Sequence, residues 1–275
     1  MLIPAMVVFL LTFAVPMILV GRLSLFASDY ATTKFVGMQN YVTAIFDHYY
    51  VKSYENAFWF VLMIAPSIVI FAYTLSSVLS NYNKKTQSIA RFVVYIPGLT
   101  SGIIMGLLWA WLLLRQGLIN QILSVFNIQA IPFLSEQWPA RISIAVISVI
   151  SSIGGMVILF SASMHSISKE LQDASMIDGA NRRQYKKFIV RPMMLPTILL
   201  ALLLNIVGIM QMWETIFVLT EGGGPEGSTA SPVYEIFLTA FRFGKAGLAA
   251  AKGIILMFVI AGILVIKNRV EKWVK

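Results

Sequence analysis

The sequence predicts an all-α, polytopic membrane protein with six transmembrane helices. Of its 275 residues, 58% are hydrophobic and only 12% are charged, and the mean hydropathy is +0.80. A water-soluble domain does not carry so much apolar surface. Six segments are also long and apolar enough to cross a hydrocarbon core of about 30 Å. This balance excludes a disordered chain and a nucleic-acid-binding domain, although the net charge is +9.

The predicted spans follow one another along the chain, so we expect residues 1–275 to form a single transmembrane domain. We expect the first apolar segment to be a retained span and not a cleaved signal peptide, because it has no basic n-region and no clear small-residue cleavage site. The predicted bounds are Leu2–Val20, Ala57–Leu79, Phe92–Leu114, Ile142–Ala162, Leu195–Trp213 and Gly247–Ile266.

The distribution of basic residues predicts the orientation, because cytoplasmic loops retain Lys and Arg. Most of the 21 basic residues lie in the segments on the side that holds both termini, and most of the 12 acids lie on or near the other side. Both termini are therefore expected to be cytoplasmic. Lys252 falls about two turns inside the sixth span, where we expect its flexible stem to reach the outer interface.

Catalytic and metal chemistry are not expected. The chain has no cysteine, and its two histidines, His48 and His165, lie far apart. Ionisable residues are almost absent from the spans, and the nearest, Glu214, is expected at the outer mouth. A transporter whose spans lack ionisable side chains to relay protons or sodium ions takes its energy from elsewhere, most simply from nucleotide hydrolysis. The run 222–229 has the glycine spacing of a phosphate loop but lacks its Lys, so we expect the chain itself not to bind nucleotide.

The loop between the fourth and fifth spans, residues 166–191, predicts two short cytoplasmic helices. Ser168 is placed to cap the first, and Gly179 follows its end. Asn181 is placed to cap the second, with Gln184 in the capping-box position. The pattern leaves open whether this helix pair contacts a partner protein or anionic lipid.

The same loop resembles that of the sugar-type permease subunits of bacterial ATP-binding-cassette (ABC) importers, of the maltose and glycerol-phosphate kind. Those proteins carry E-A-A, three residues, Gly, nine residues and I-x-L-P. The matching positions here are Asp173, Ala174, Ser175, Gly179, Ile189, Arg191 and Pro192, of which Asp173, Ser175 and Arg191 depart from the motif. The family's L-T-x-G-G-P loop also appears, at Leu219, Thr220, Gly223, Gly224 and Pro225, with one extra residue. The resemblance covers about residues 3 to 272.

The resemblance implies a non-catalytic subunit in the bacterial inner membrane. Its implied partners are a second permease, two ATPases that bind ATP and Mg, and a solute-binding protein outside the cell, so the chain itself needs no cofactor. In such assemblies the cytoplasmic helix presses into a cleft on an ATPase. The implied ATPase-coupling residues are Glu170, Asp173, Ala174, Ser175, Asp178, Gly179 and Ala180.

A substrate pathway needs polar groups at mid-membrane depth, and few are present. Members of this family line the pathway with the middles of the fourth and fifth spans. The candidate pathway residues are Ser152, Gly155, Asn205, Gly208 and Met212. Helix packing is the alternative role for the Ser and Gly residues of this set, and a bond to a neighbouring helix is the alternative role for Asn205. Helix packing is also the expected role of Gly102 and Gly106, which form a G-x-x-x-G pair.

The expected function is import of a mono- or oligosaccharide. Two alternatives stay open at this point: import of another polar solute, such as glycerol phosphate or a peptide, and a membrane assembly subunit without a pathway of its own.

Overall fold

A computed structural model describes residues 3–28 and 33–274, so Leu2 of the predicted first span lies outside the described residues. The described part is almost wholly helical, as predicted, with one two-stranded antiparallel ribbon. The elements are α1 (Pro4–Leu23), β1 (Phe26–Ser28), β2 (Thr33–Phe35), α2 (Gln39–Phe46), α3 (His48–Leu79), α4 (Lys84–Leu99), α5 (Gly102–Leu112), α6 (Leu118–Val125), α7 (Gln137–His165), α8 (Lys169–Ile177), α9 (Arg182–Met210), α10 (Glu214–Leu219), α11 (Pro232–Phe237) and α12 (Ala246–Val274).

Within the described residues, five single helices are long and apolar enough to cross a membrane, namely α1, α3, α7, α9 and α12, and the bent pair α4–α5 is the sixth if it is one span. The predicted third span, Phe92–Leu114, is therefore wrong as a continuous helix. The two halves meet at 90°. Pro97 removes a helical N–H near the end of α4, Thr100 and Ser101 are extended, and the Ser101 hydroxyl then accepts from Ile104 N–H to begin α5.

The predicted fifth span differs at both ends. The capping box of Asn181 and Gln184 is confirmed, but the helix that it begins does not stop before the membrane. The helix continues through Pro192, which has no N–H to donate. The turn before it is a wider, π-helical turn, in which Arg191 N–H bonds to Lys186 C=O five residues back. Helix α9 then ends at Met210, and not at Trp213 as predicted.

Helices α3, α7 and α9 form the centre of the bundle, and two buried apolar clusters hold them together. One cluster includes Phe60, Ile144 and Ile209, and the other includes Val69, Val157 and Met194. Helix α4 packs on α7, and α1 packs on α12 with its apolar side chains largely exposed. An apolar surface of this kind is suited to lipid and not to water.

Glycines set the closest helix contacts. A Cβ atom on Gly154 would lie 2.6 Å from the Tyr95 Cα atom, so α7 and α4 touch through their backbones. A Cβ atom on Gly106 would lie 2.9 Å from the Cβ atom of Val218. The close packing predicted for Gly102 and Gly106 is confirmed, and the partner helix is α10 of the same chain.

Lys252 does not reach the outer interface, so that expectation was wrong. Its side chain is 2% exposed, and its Nζ lies 2.8 Å from Asp47 Oδ2 and donates to Thr239 Oγ1 at 2.9 Å. Tyr50 presents its ring to the same ammonium group. Burial acts to raise the pKa of Asp47, but the hydrogen bond and charge of Lys252 outweigh it and leave that pKa below its usual value. The ion pair therefore ties α12 to the start of α3.

Candidate functional site

A cavity of about 470 Å³ lies where α3, α7, α9 and the break between α4 and α5 meet. Its apolar wall includes Ile64, Ile68 and Met156. Its polar side chains are Thr100, Ser148, Ser151, Ser152, Asn205, Gln211, Glu214 and Thr215. A cavity that mixes apolar walls with hydroxyl and amide groups is suited to a polar organic solute.

Four of the five candidate pathway residues line this cavity: Ser152, Asn205, Gly208 and Met212. Gly155 does not line the cavity. A Cβ atom on Gly155 or on Gly208 would meet no neighbour within 4 Å, so neither glycine is required for close packing. The packing glycine of this stretch is Gly154, one residue earlier. The structure thus brings most of the candidates together, and their role in transport stays a prediction.

Asn205 is buried, with 7% of its surface exposed, and its Nδ2 donates to Ala201 C=O of its own helix at 2.7 Å. Within the described residues its side chain makes no hydrogen bond to another helix. Asn205 therefore does not tie two helices together, as the packing alternative required, and the residue lines the cavity. At this wall Ser148 Oγ of α7 donates to Met212 Sδ, in the turn that follows α9, at 3.3 Å.

Glu214 is the residue that the sequence argument misplaced. A straight fifth helix would carry it to the outer mouth, but α9 ends at Met210 and the chain turns, so Glu214 begins α10 on the cavity wall. A Cβ atom on Gly102 would lie 2.5 Å from Glu214 Oε2. A side chain at position 102 would therefore require the Glu214 carboxylate to shift.

The cytoplasmic loop forms the helix that the sequence predicts. Ser168 caps α8 through Glu170 N–H, which confirms the predicted cap. At the other end Gly179 has φ +80°, and Gly179 N–H and Ala180 N–H bond to the carbonyls of Met176 and Ser175. This is a Schellman ending, which requires a left-handed residue at Gly179.

The candidate coupling residues do not all share one surface. Glu170, Asp173, Ala174, Asp178 and Gly179 are exposed, whereas Ser175 is buried and Ala180 is half-buried. The exposed side also carries apolar side chains: Leu171, Met176 and Ile177 are 41%, 54% and 87% exposed. Ser175 instead donates to Gln172 C=O within the helix. The role of this set in coupling stays a prediction.

The glycine-rich loop after α10 is held by a buried network that the sequence argument did not foresee. Gly222, Gly223 and Gly224 all have positive φ, which lets the loop turn tightly. Arg141 Nε donates to Ser228 C=O at 2.9 Å and its Nη2 donates to Asn56 Oδ1 at 2.8 Å. Arg141 therefore fixes this loop on α3 and α7.

Comparison with known proteins agrees with this architecture. A solved bacterial ABC transporter involved in the import of the acidic polysaccharide alginate has a chain with the same fold: the TM-score is 0.84 over 99% of this chain and 93% of that chain, at 22% identity. The fold is therefore that of the permease subunits of ABC importers, and the chain is a multi-pass membrane protein. No family model matches the chain.

The sequence relatives define the kind of permease. The trehalose/maltose transport system permease protein MalF of Thermococcus litoralis is 26% identical over 87% of this chain and 80% of its own length. The arabinooligosaccharides transport system permease protein AraP of Bacillus subtilis is 25% identical over 94% of this chain and 82% of its own. The predicted resemblance is confirmed: the chain is a homologue of sugar ABC importer permeases. These relatives are transport permeases, not enzymes.

Proposed function

We propose that residues 1–275 form one permease subunit of an ABC importer that carries a carbohydrate into the cell. The observation that supports it most is the cavity of about 470 Å³ at the centre of the bundle, with its ring of hydroxyl and amide groups. Sugars are bound by such groups together with apolar and aromatic walls. An assembly subunit without a pathway would have no need of this cavity.

The energy for transport comes from outside this chain in our proposal. A second permease completes the pathway, two ATPases bind ATP and Mg, and a solute-binding protein delivers the sugar. The exposed apolar side of α8, with Ile177 at 87% exposure, supports a protein partner over lipid headgroups, since its acids Glu170 and Asp173 would be repelled by an anionic membrane surface.

The orientation in this proposal places α8 and both termini in the cytoplasm of a bacterium, with the glycine-rich loop outside. The basic residues of segment 182–191 and of the C-terminal end support it. Binding of the purified ATPase to inside-out vesicles, and not to right-side-out vesicles, is the expected result. Binding only to right-side-out vesicles would reverse the orientation.

Asn205→Ala tests the cavity as the pathway. Loss of one neutral hydrogen bond to a sugar hydroxyl costs about 0.5 to 1.5 kcal/mol. The sugar concentration needed for half-maximal uptake should therefore rise by roughly 2- to 12-fold. The measurement is the initial rate of oligosaccharide uptake by cells with the complete importer, together with thermal unfolding of the purified assembly.

Ser67→Ala is the matched control for Asn205→Ala. Ser67 also donates to a carbonyl of its own helix, Met63 C=O at 2.6 Å, but it does not line this cavity. It should leave uptake unchanged. Unchanged uptake by Asn205→Ala, with a lowered unfolding temperature, would remove Asn205 from the pathway.

A further inference from the structure

Glu214 places a negative charge on the wall of the cavity. Its carboxylate lies over Gly102, where the absence of a side chain makes room for it. Its neighbour Trp213 also lines the cavity and is stacked on Phe237, with ring centroids 5.0 Å apart and planes 24° apart. The Trp213 and Glu214 pair is therefore held between α5 and α11, and is not a mobile loop end.

The charge of Glu214 has no counter-ion in the cavity. Among the described residues that line it, Glu214 is the one with an ionisable side chain. Within residues 3–28 and 33–274, no group donates a hydrogen bond to the Glu214 carboxylate or forms an ion pair with it. The carboxylate therefore remains free to accept hydrogen bonds from a bound molecule or from water.

A carboxylate in this position treats neutral and anionic sugars differently. It accepts charge-assisted hydrogen bonds from sugar hydroxyls, which are stronger than bonds between neutral groups. A carboxylate has no proton to offer the oxygens of a uronate or a sugar phosphate, and its charge repels them. An aromatic ring beside it, here Trp213, suits the apolar face of a sugar ring.

We propose that Glu214 is a specificity-determining residue that makes this importer select uncharged sugars and exclude anionic ones. This inference rests on the proposed function, because it assumes that the cavity is the sugar pathway.

The test uses the purified nucleotide-free importer without its binding protein, so that the permease alone selects. One mixture contains neutral oligosaccharides from starch, arabinan and galactan, and the other contains acidic oligosaccharides from pectin and alginate. Sugars retained by the complex are identified by mass spectrometry. Wild-type protein should retain neutral sugars in large excess over acidic ones, and Glu214→Gln should raise the ratio of acidic to neutral sugars about tenfold, the order expected from removing one nearby charge.

Two further variants isolate the charge in this position. Glu221→Gln removes an exposed acid of the outer loop and should leave the ratio at the wild-type value. Gly102→Ala keeps the charge but displaces it from the wall, and should change the ratio in the same direction as Glu214→Gln. The difference should also shrink at high salt, where a charge effect is screened.

The outcomes are distinct. Retention of acidic sugars by the wild type, or an unchanged ratio in Glu214→Gln, would overturn the role of Glu214 while leaving the carbohydrate pathway in place. A wild-type complex that retains neither mixture would contradict the proposed function itself.

Discussion

Gly179→Leu is expected to abolish coupled transport while the membrane bundle stays folded. Gly179 closes α8 with φ +80°, a conformation that costs a leucine about 1 to 2 kcal/mol. The strained end would unwind the last turn of α8, which carries Met176 and Ile177 on the exposed side. In the proposed assembly that side binds an ATPase, so ATPase copurification and sugar uptake should both fall by at least about tenfold.

Gly262→Leu is the matched control for Gly179→Leu. Gly262 is exposed on α12, and a Cβ atom there meets no neighbour within 4 Å. That variant should keep the ATPase and transport at the wild-type level. If Gly179→Leu also keeps both, α8 is not the coupling helix, and contact with lipid becomes the better account of this loop.

Lys252→Met is expected to destabilise the folded chain by about 3 kcal/mol, because removal of one partner leaves the other half of a buried ion pair uncompensated. The group left behind is the Asp47 carboxylate, whose low pKa depends on Lys252. Asp47 also caps α3 by accepting from Tyr49 N–H and Tyr50 N–H. The start of α3 and its contact with α12 should loosen first, and the temperature of thermal unfolding in detergent should fall.

Lys245→Met provides the comparison for Lys252→Met, since Lys245 is an exposed lysine just before the same helix. It should unfold as the wild type does. The double variant Lys252→Met with Asp47→Asn should recover part of the lost stability, because it removes the uncompensated charge. Equal unfolding temperatures for Lys252→Met and Lys245→Met would show that the ion pair contributes nothing to stability.

Local features of this fold are predictable from sequence because they depend on neighbouring residues. Ser168 and the pair Asn181 and Gln184 cap helices as predicted, since each bond spans two or three positions. The apolar runs likewise locate the spans, because the membrane requires them of any sequence. Asn205 and Met212 line one cavity because they are close in sequence, although α9 ends at Met210 and Met212 lies just beyond it.

The errors arise where distant segments decide the outcome. Hydropathy does not register the 90° turn between α4 and α5, because both halves are equally apolar. The place of Glu214 depends on that turn and on the end of α9 at Met210. Lys252 was expected at the interface because its flexible stem can carry the ammonium group out of the span, whereas that group pairs with Asp47, which is far away in the sequence.

In our proposal, this chain carries a carbohydrate and partner ATPases supply the energy. The direct measurement is uptake of the neutral oligosaccharide mixture into proteoliposomes that contain this chain, its second permease and both ATPases, with binding protein outside and ATP inside. We expect uptake that requires ATP hydrolysis and falls to background when this chain is omitted. Uptake that persists with a non-hydrolysable ATP analogue, or without this chain, would contradict the account.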